Sequence, residues 1–173
     1  MTAVSALTLL WQPALAADVT VKVAATAMPW SLKKNKDLPF GKNDGTAAAA
    51  IAVKPGMSLH MTATGSTTTV AGGGSFDPNG QADFITDDHV GGSGMPFPSM
   101  FMNHAFYPTH LNELVATFAD SHGKMVKSPF PIGTEMTITV PEGAELLQFG
   151  INDDIYADNS GEIVVTVSTS DAP

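Results

Sequence analysis

Valine and polar residues alternate from Asp18 to Ala25 (DVTVKVAA). This is the two-residue period of a strand with one buried face. The same period returns in Met57–Thr64 (MSLHMTAT), Glu135–Val140 (EMTITV) and Glu162–Ser168 (EIVVTVS). Asn112–Ala119 (NELVATFA) and Glu145–Ile151 (ELLQFGI) are apolar enough for two further strands. Thr46–Val53 is a run of small apolar residues whose alanines suit a helix, but it is short and Pro55-Gly56 closes it, so a strand is expected. Turns fall at Lys54-Pro55-Gly56, Ser121–Lys124 and Pro141–Gly143, where Gly and Pro preset the backbone. Ser31–Gly45, Gly65–Gly74 and Phe76–Gly94 read as loops. Roughly six to eight short strands, no amphipathic helix and no internal repeat predict an all-β antiparallel sandwich.

Composition narrows this picture. A chain of 173 residues with 43% hydrophobic content is one domain and not a disordered segment. There are no cysteines, so thiolate metal sites and cysteine catalysis are excluded and no disulfide staples the fold. Net charge is −9, which argues against nucleic-acid and anionic-membrane binding and suits cations, neutral sugars or basic partners. Ala3–Trp11 is a short apolar run, and Ala14-Leu15-Ala16 has the small-x-small form of a cleavage site. Residues 1–16 are therefore expected to be a signal peptide and 17–173 a single exported domain, periplasmic or extracellular. The basic n-region is missing, which a start codon assigned too far downstream explains; the plainer reading is a mature N-terminal strand or helix. No run long enough for a transmembrane span follows.

The segment Asn152-Asp153-Asp154-Ile155-Tyr156-Ala157-Asp158-Asn159-Ser160-Gly161 has three carboxylates, two carboxamides and a hydroxyl between two strands. Calcium takes about six to eight hard oxygen ligands in flexible geometry. Such a loop supplies them, with backbone carbonyls filling the gaps, whereas three crowded carboxylates without a cation repel. The flanks are strands, so this is not an EF-hand. A solvated hairpin is the plainer reading, since Asn, Asp and Gly dominate turns.

These residues carry a resemblance. Pro29-Trp30, Val53-Lys54-Pro55-Gly56 with the strand ending Ala63-Thr64-Gly65, Leu114-Val115, Pro131-Ile132-Gly133 and above all Asn152-Asp153 … Asp158-Asn159-Ser160-Gly161 resemble the calcium-dependent galactophilic lectins of the Pseudomonas type and related exported domains. The similarity runs from Ala27 to Val167 and is weakest between Ala82 and Asn112. It implies a jelly-roll-like β-sandwich with calcium at one end, completed by sugar hydroxyls. It further implies Asp153, Asp158 and Asn159 as side-chain ligands, with backbone carbonyls from near Tyr156 and from Thr68-Thr69. Asp158 stands where the lectins carry Asn, and the loop is slightly shorter than theirs. The lectins grip the sugar with a His and a Gln in a loop that maps to Phe76–His89. Gln81 and His89 stand there, in a different order and spacing. Tyr156 is either a platform for the sugar ring or a half-buried loop anchor. The lectins also assemble into oligomers.

Met95, Met100, Met102, His104 and His110 crowd one segment with Phe97, Phe101 and Phe106. Thioether and imidazole ligands suit copper, but a cap over the sandwich or a partner surface is the plainer reading. No nucleophile motif is present: Gly91-Gly92-Ser93-Gly94 has no strand–turn–helix setting, and no helix follows Gly72-Gly73-Gly74. The expectation is a non-enzymatic calcium-binding domain for a neutral, galactose-like sugar. The alternative is an interaction domain whose calcium only stiffens the loop and whose segment 95–110 docks a protein.

Overall fold

A computed structural model describes residues 18–170, so the expected signal peptide lies outside the described residues. The strands are β1 (Val19–Ala24), β2 (Ala49–Ala52), β3 (Ser58–Thr68), β4 (Ser75–Phe76), β5 (Gln81–Ile85), β6 (His110–Leu111), β7 (Leu114–Ala119), β8 (Phe130–Pro131), β9 (Glu135–Thr139), β10 (Leu146–Ile151) and β11 (Ser160–Ser170). One sheet runs β1-β11-β3-β4, with β9 also paired to β3. The second runs β2-β10-β7-β8, and β5-β6 form a small separate ribbon. All these pairings are antiparallel. The chain passes repeatedly from one main sheet to the other, the exchange that makes a sandwich jelly-roll-like.

The two-residue period does what the sequence predicts. Ile163, Val165 and Val167 of β11 and Leu59, Met61 and Ala63 of β3 are buried from one sheet. Leu114, Ala116, Phe118, Leu147, Phe149 and Ile151 meet them from the other, in one hydrophobic cluster. Each of the larger side chains stabilises the sandwich by about 1.5–3 kcal/mol on leaving water. β7 is buried on both faces. The Pro29 segment crosses outside this sheet: its carbonyl accepts from Thr117 Oγ1 at 3.2 Å. Trp30 is buried there edge-on against Phe40, with ring centroids 4.4 Å apart.

Two expectations needed correction. The strand expected to stop at Thr64 runs on to Thr68, because β11 continues opposite it with Gly65 facing Ile163 and Thr67 facing Gly161. Gly65 (φ 106°) and Gly161 (φ 102°) allow this close pairing, since a Cβ on either would run into the opposite backbone. The Phe76–Gly94 loop contains β5, which pairs with His110–Leu111, residues far along the chain. Segment 95–110 holds two short 3-10 turns, Pro98–Phe101 and His104–Phe106. Among the described residues, no helix is long and apolar enough to cross a membrane.

Candidate metal-binding site before the last strand

The chain leaves β10 at Ile151 and re-enters the other sheet at Ser160, so the intervening loop is anchored in both. Its first residues are not a solvated hairpin. Asn152, Asp153, Asp154, Tyr156 and Asn159 are all buried. Tyr156 is fully enclosed, and its hydroxyl donates to the Ile151 carbonyl at 2.9 Å. Its ring packs edge-on near Phe40, so Tyr156 is an anchor and offers no face to a sugar. Its backbone N–H donates to Asp44 Oδ1 at 3.0 Å, which ties the loop to the long Ser31–Gly45 connection.

Asp153 and Asn159 meet across this loop. Asp153 is 3% exposed and Asn159 is 7% exposed. Asp153 Oδ1 accepts from the backbone N–H of Asp154 at 2.6 Å and of Ile155 at 3.2 Å. Its Oδ2 accepts from Asn159 Nδ2 at 2.8 Å. Asn159 Nδ2 also donates to the Ala25 carbonyl at 3.1 Å. Both neighbours of that nitrogen are acceptors, which settles the orientation of the amide. Asn159 Oδ1 is then left buried with no hydrogen-bond partner among the described residues. Desolvation dominates at Asp153 and pushes its pKa up to about 6, despite three hydrogen bonds that favour the charged form. A buried carboxylate and a carboxamide oxygen are of the donor types a hard cation takes, with the amide nitrogen, not the oxygen, turned to Asp153.

The other expected site residues lie elsewhere or contribute differently. Asp158 is exposed, and its carboxylate is not in the hydrogen bonds joining Asp153 to Asn159. Thr69 lies just beyond β3 and is half-buried, while Thr68 is held by Ser160 through Oγ contacts of 2.8 Å. Gln81 opens β5 opposite Leu111, and His89 is an exposed residue in the turn after Thr86. Neither is in the hydrogen bonds that build the Asp153–Asn159 pair. Among the described residues, no three His, Asp or Glu side chains gather into a metal-holding group. A cation here would therefore rest on one buried carboxylate, the carboxamide and backbone carbonyls.

Residues not singled out from sequence hold the loop in place. Asp154 Oδ2 accepts from Ser93 N at 2.7 Å, and its carbonyl accepts from Lys42 N at 3.0 Å. Gly91 lies so close to the Asp154 carboxyl that a Cβ would fall within it. Gly91→Ala is expected to destabilise the protein by about 1–3 kcal/mol through this overpacking. A urea titration beside Gly92→Ala, where a Cβ meets nothing, checks the effect.

Asn152 is the second hub. Its Nδ2 donates to Thr86 Oγ1 and to the His110 carbonyl, each at 2.8 Å, and its Oδ1 accepts from Ser99 N at 3.0 Å. Asp87 Oδ1 accepts from the N–H and Oγ1 of Thr109 at 2.8 and 2.9 Å, closing the same network. Glu113, buried beside it, accepts from His110 N at 2.9 Å. Burial is the main reason its pKa rises to about 7. This network turns segment 95–110 inward. Phe97 and Met102 are buried, and Phe101 and Phe106 pack against the core. The segment is a cap over the sandwich. His104 is exposed and stacks on Tyr107, with ring centroids 4.8 Å apart.

No protein-family model matches the chain. No curated protein matches it either. Among solved structures, the chain is similar to one described as the EclA N-terminal domain, a PllA-like lectin, at 17% sequence identity and a TM-score of 0.47. The match covers 90% of this chain and 98% of that one. A likeness of this extent carries no function across, and the sandwich assignment stands on the strand pairing itself.

Proposed function

We propose that this protein is an exported, calcium-dependent carbohydrate-binding domain whose cation is held by Asp153 and Asn159. The observation that carries this reading is one loop that buries the Asp153 carboxylate beside Asn159, whose nitrogen donates to it and whose carboxamide oxygen is buried with no hydrogen-bond partner among the described residues. Without a cation both groups are costly. Desolvation disfavours the charge on Asp153, and an unsatisfied buried acceptor costs on the order of 1–3 kcal/mol. Calcium, when bound, supplies the positive charge and can accept sugar hydroxyls as ligands. Asp153 and Asn159 hold it, the enclosed Tyr156 ring keeps the loop in shape, and exposed Asp158 faces the solvent side with its negative charge. Export, supported by the Ala14-Leu15-Ala16 pattern, places the domain where extracellular calcium modules work at about 0.1–1 mM dissociation constants.

A glycan array probed at millimolar calcium and again with chelator tests this. Binding to neutral, galactose-bearing glycans that chelator abolishes is the expected result. No binding to any neutral glycan would overturn the carbohydrate reading, whatever the outcome for the metal.

A further inference from the structure

The chain carries eight basic residues, all lysines, against seventeen acidic ones. Four of the eight, Lys33, Lys34, Lys36 and Lys124, line a single cavity of about 320 Å³, with Asp37 as the one carboxylate among them. Two separate loops build it. Asn35 Nδ2 donates to the Gly123 carbonyl at 3.2 Å, and Asn35 Oδ1 accepts from Met125 N at 2.9 Å. Lys34 Nζ donates to the His122 carbonyl. These contacts bring the Lys33–Lys36 run against the Lys124 turn. Lys33, Lys36 and Lys124 are exposed. Among the described residues, the only lysine ion-paired with a carboxylate is Lys22, in the other sheet.

The cavity is part of a longer groove. It shares Lys33 and Lys34 with a neighbouring cavity of about 410 Å³ that Asn43, Thr46 and Gln148 also line. On its other side it shares Leu38 and Met125 with a cavity that reaches Lys127 and Ser128. Gathering like charges in a chain with few of them costs electrostatic energy, which a bound anion recovers. We propose that this groove binds an acidic polysaccharide, one carrying carboxylates or sulfates along its chain. Its extended form suits a polymer. The central cavity has no aromatic lining, and the flanking ones hold only the buried Trp30 and the partly buried Phe101, so a single-stranded nucleic acid finds little ring surface on which to stack its bases. Lysine heads are compact point charges that pair with isolated acid groups and need no bidentate geometry. Asp120 lies in the Lys124 turn, where its Oδ1 is engaged by the backbone N–H groups of His122 and Lys124, each at 2.9 Å.

The test uses the full chain and four probes at low salt: heparin, polygalacturonate, a single-stranded DNA oligomer and phosphatidylserine vesicles, with dextran as the neutral polymer. Binding to heparin or polygalacturonate, weakening steeply as salt rises, is expected. The variant Lys33→Glu/Lys36→Glu/Lys124→Glu should lose at least tenfold in affinity. Lys22→Glu/Lys54→Glu, with the same kind of change outside the groove, should stay within twofold. Should the charge-reversed variant misfold, Lys33→Gln/Lys36→Gln/Lys124→Gln replaces it, with a loss of at least threefold expected. Chelator should leave this binding unchanged, which separates it from the calcium-dependent glycan reading. No binding to either acidic polymer, equal losses in the two sets of variants, or tighter binding to DNA or vesicles would each overturn the proposal.

Discussion

With calcium removed, the protein is expected to lose stability as pH rises from about 4 to about 7.5. Two buried carboxyl groups set the direction. Asp153 rises from an ordinary 3.8 to about 6 in the fold, and Glu113 from 4.5 to about 7. Between the unfolded and folded values, the native state holds protons that the unfolded chain has released. The stability this provides is fully present below the unfolded pKa and is lost as pH rises through the folded one. Shifts of this size correspond to about 3 kcal/mol for each group. At about 2–4 °C per kcal/mol for a domain of this size, the combined fall in Tm is on the order of 10–20 °C.

Calcium should remove the Asp153 share of that slope, because the bound carboxylate is already charged. A hundredfold excess over Kd adds about 2.7 kcal/mol at neutral pH, or roughly 5–10 °C in Tm. Below about pH 6 the gain shrinks, as protons compete for Asp153. Asp153→Asn should abolish the calcium response and keep only the Glu113 part of the pH slope. Melting curves at the two pH values, with calcium and with chelator, provide the check. Identical pH profiles under both conditions would remove Asp153 from any metal site.

Asn152→Leu should be among the most damaging single changes outside the hydrophobic cluster. Leucine matches asparagine in branching and number of heavy atoms, is somewhat larger, and can hydrogen-bond nothing. The substitution leaves Ser99 N without its acceptor and removes one partner each from Thr86 Oγ1, which keeps Ser99 Oγ and the Thr109 carbonyl, and from the His110 carbonyl, which keeps Glu113 N, in a region where Asn152, Thr86 and Ser99 are all buried. Groups in such a network cost about 1–3 kcal/mol each when left unpaired. One group left unpaired and two hydrogen bonds lost give an expected loss of about 2–4 kcal/mol. Its signature is local as well as global: amides between Thr86 and His110 should exchange faster than those of β3 and β11. Uniform loss of protection across the molecule would show that Asn152 does not hold the cap in particular.

Much of the sandwich was legible in the chain. A strand that buries one face must alternate, and β1, β3, β9 and β11 do so visibly. β5 was not legible, because its residues are largely exposed and its partner is His110–Leu111. The extension of β3 past Gly65 was hidden for a related reason. A Ser/Thr/Gly run resembles a loop until another strand lies beside it, and here that strand is β11. The acid-rich loop announced itself by composition, and Asp153 and Asn159 do come together in it. Asp158 stands outside that contact.

By itself, then, the sequence determined the class of fold, the absence of thiol chemistry and a loop rich in side-chain oxygens, since period, composition and local crowding are properties of neighbouring residues. The tertiary structure alone decided which of those oxygens are buried and which of them lacks a partner. It turned Asn152 and Asp154 into struts and Tyr156 into an anchor, and it set Lys124 beside Lys33 and Lys36. The physical reason is common to all of these. Desolvation and hydrogen-bond satisfaction depend on what the rest of the chain places around a group, and those neighbours lie up to 134 positions away, as between Ala25 and Asn159.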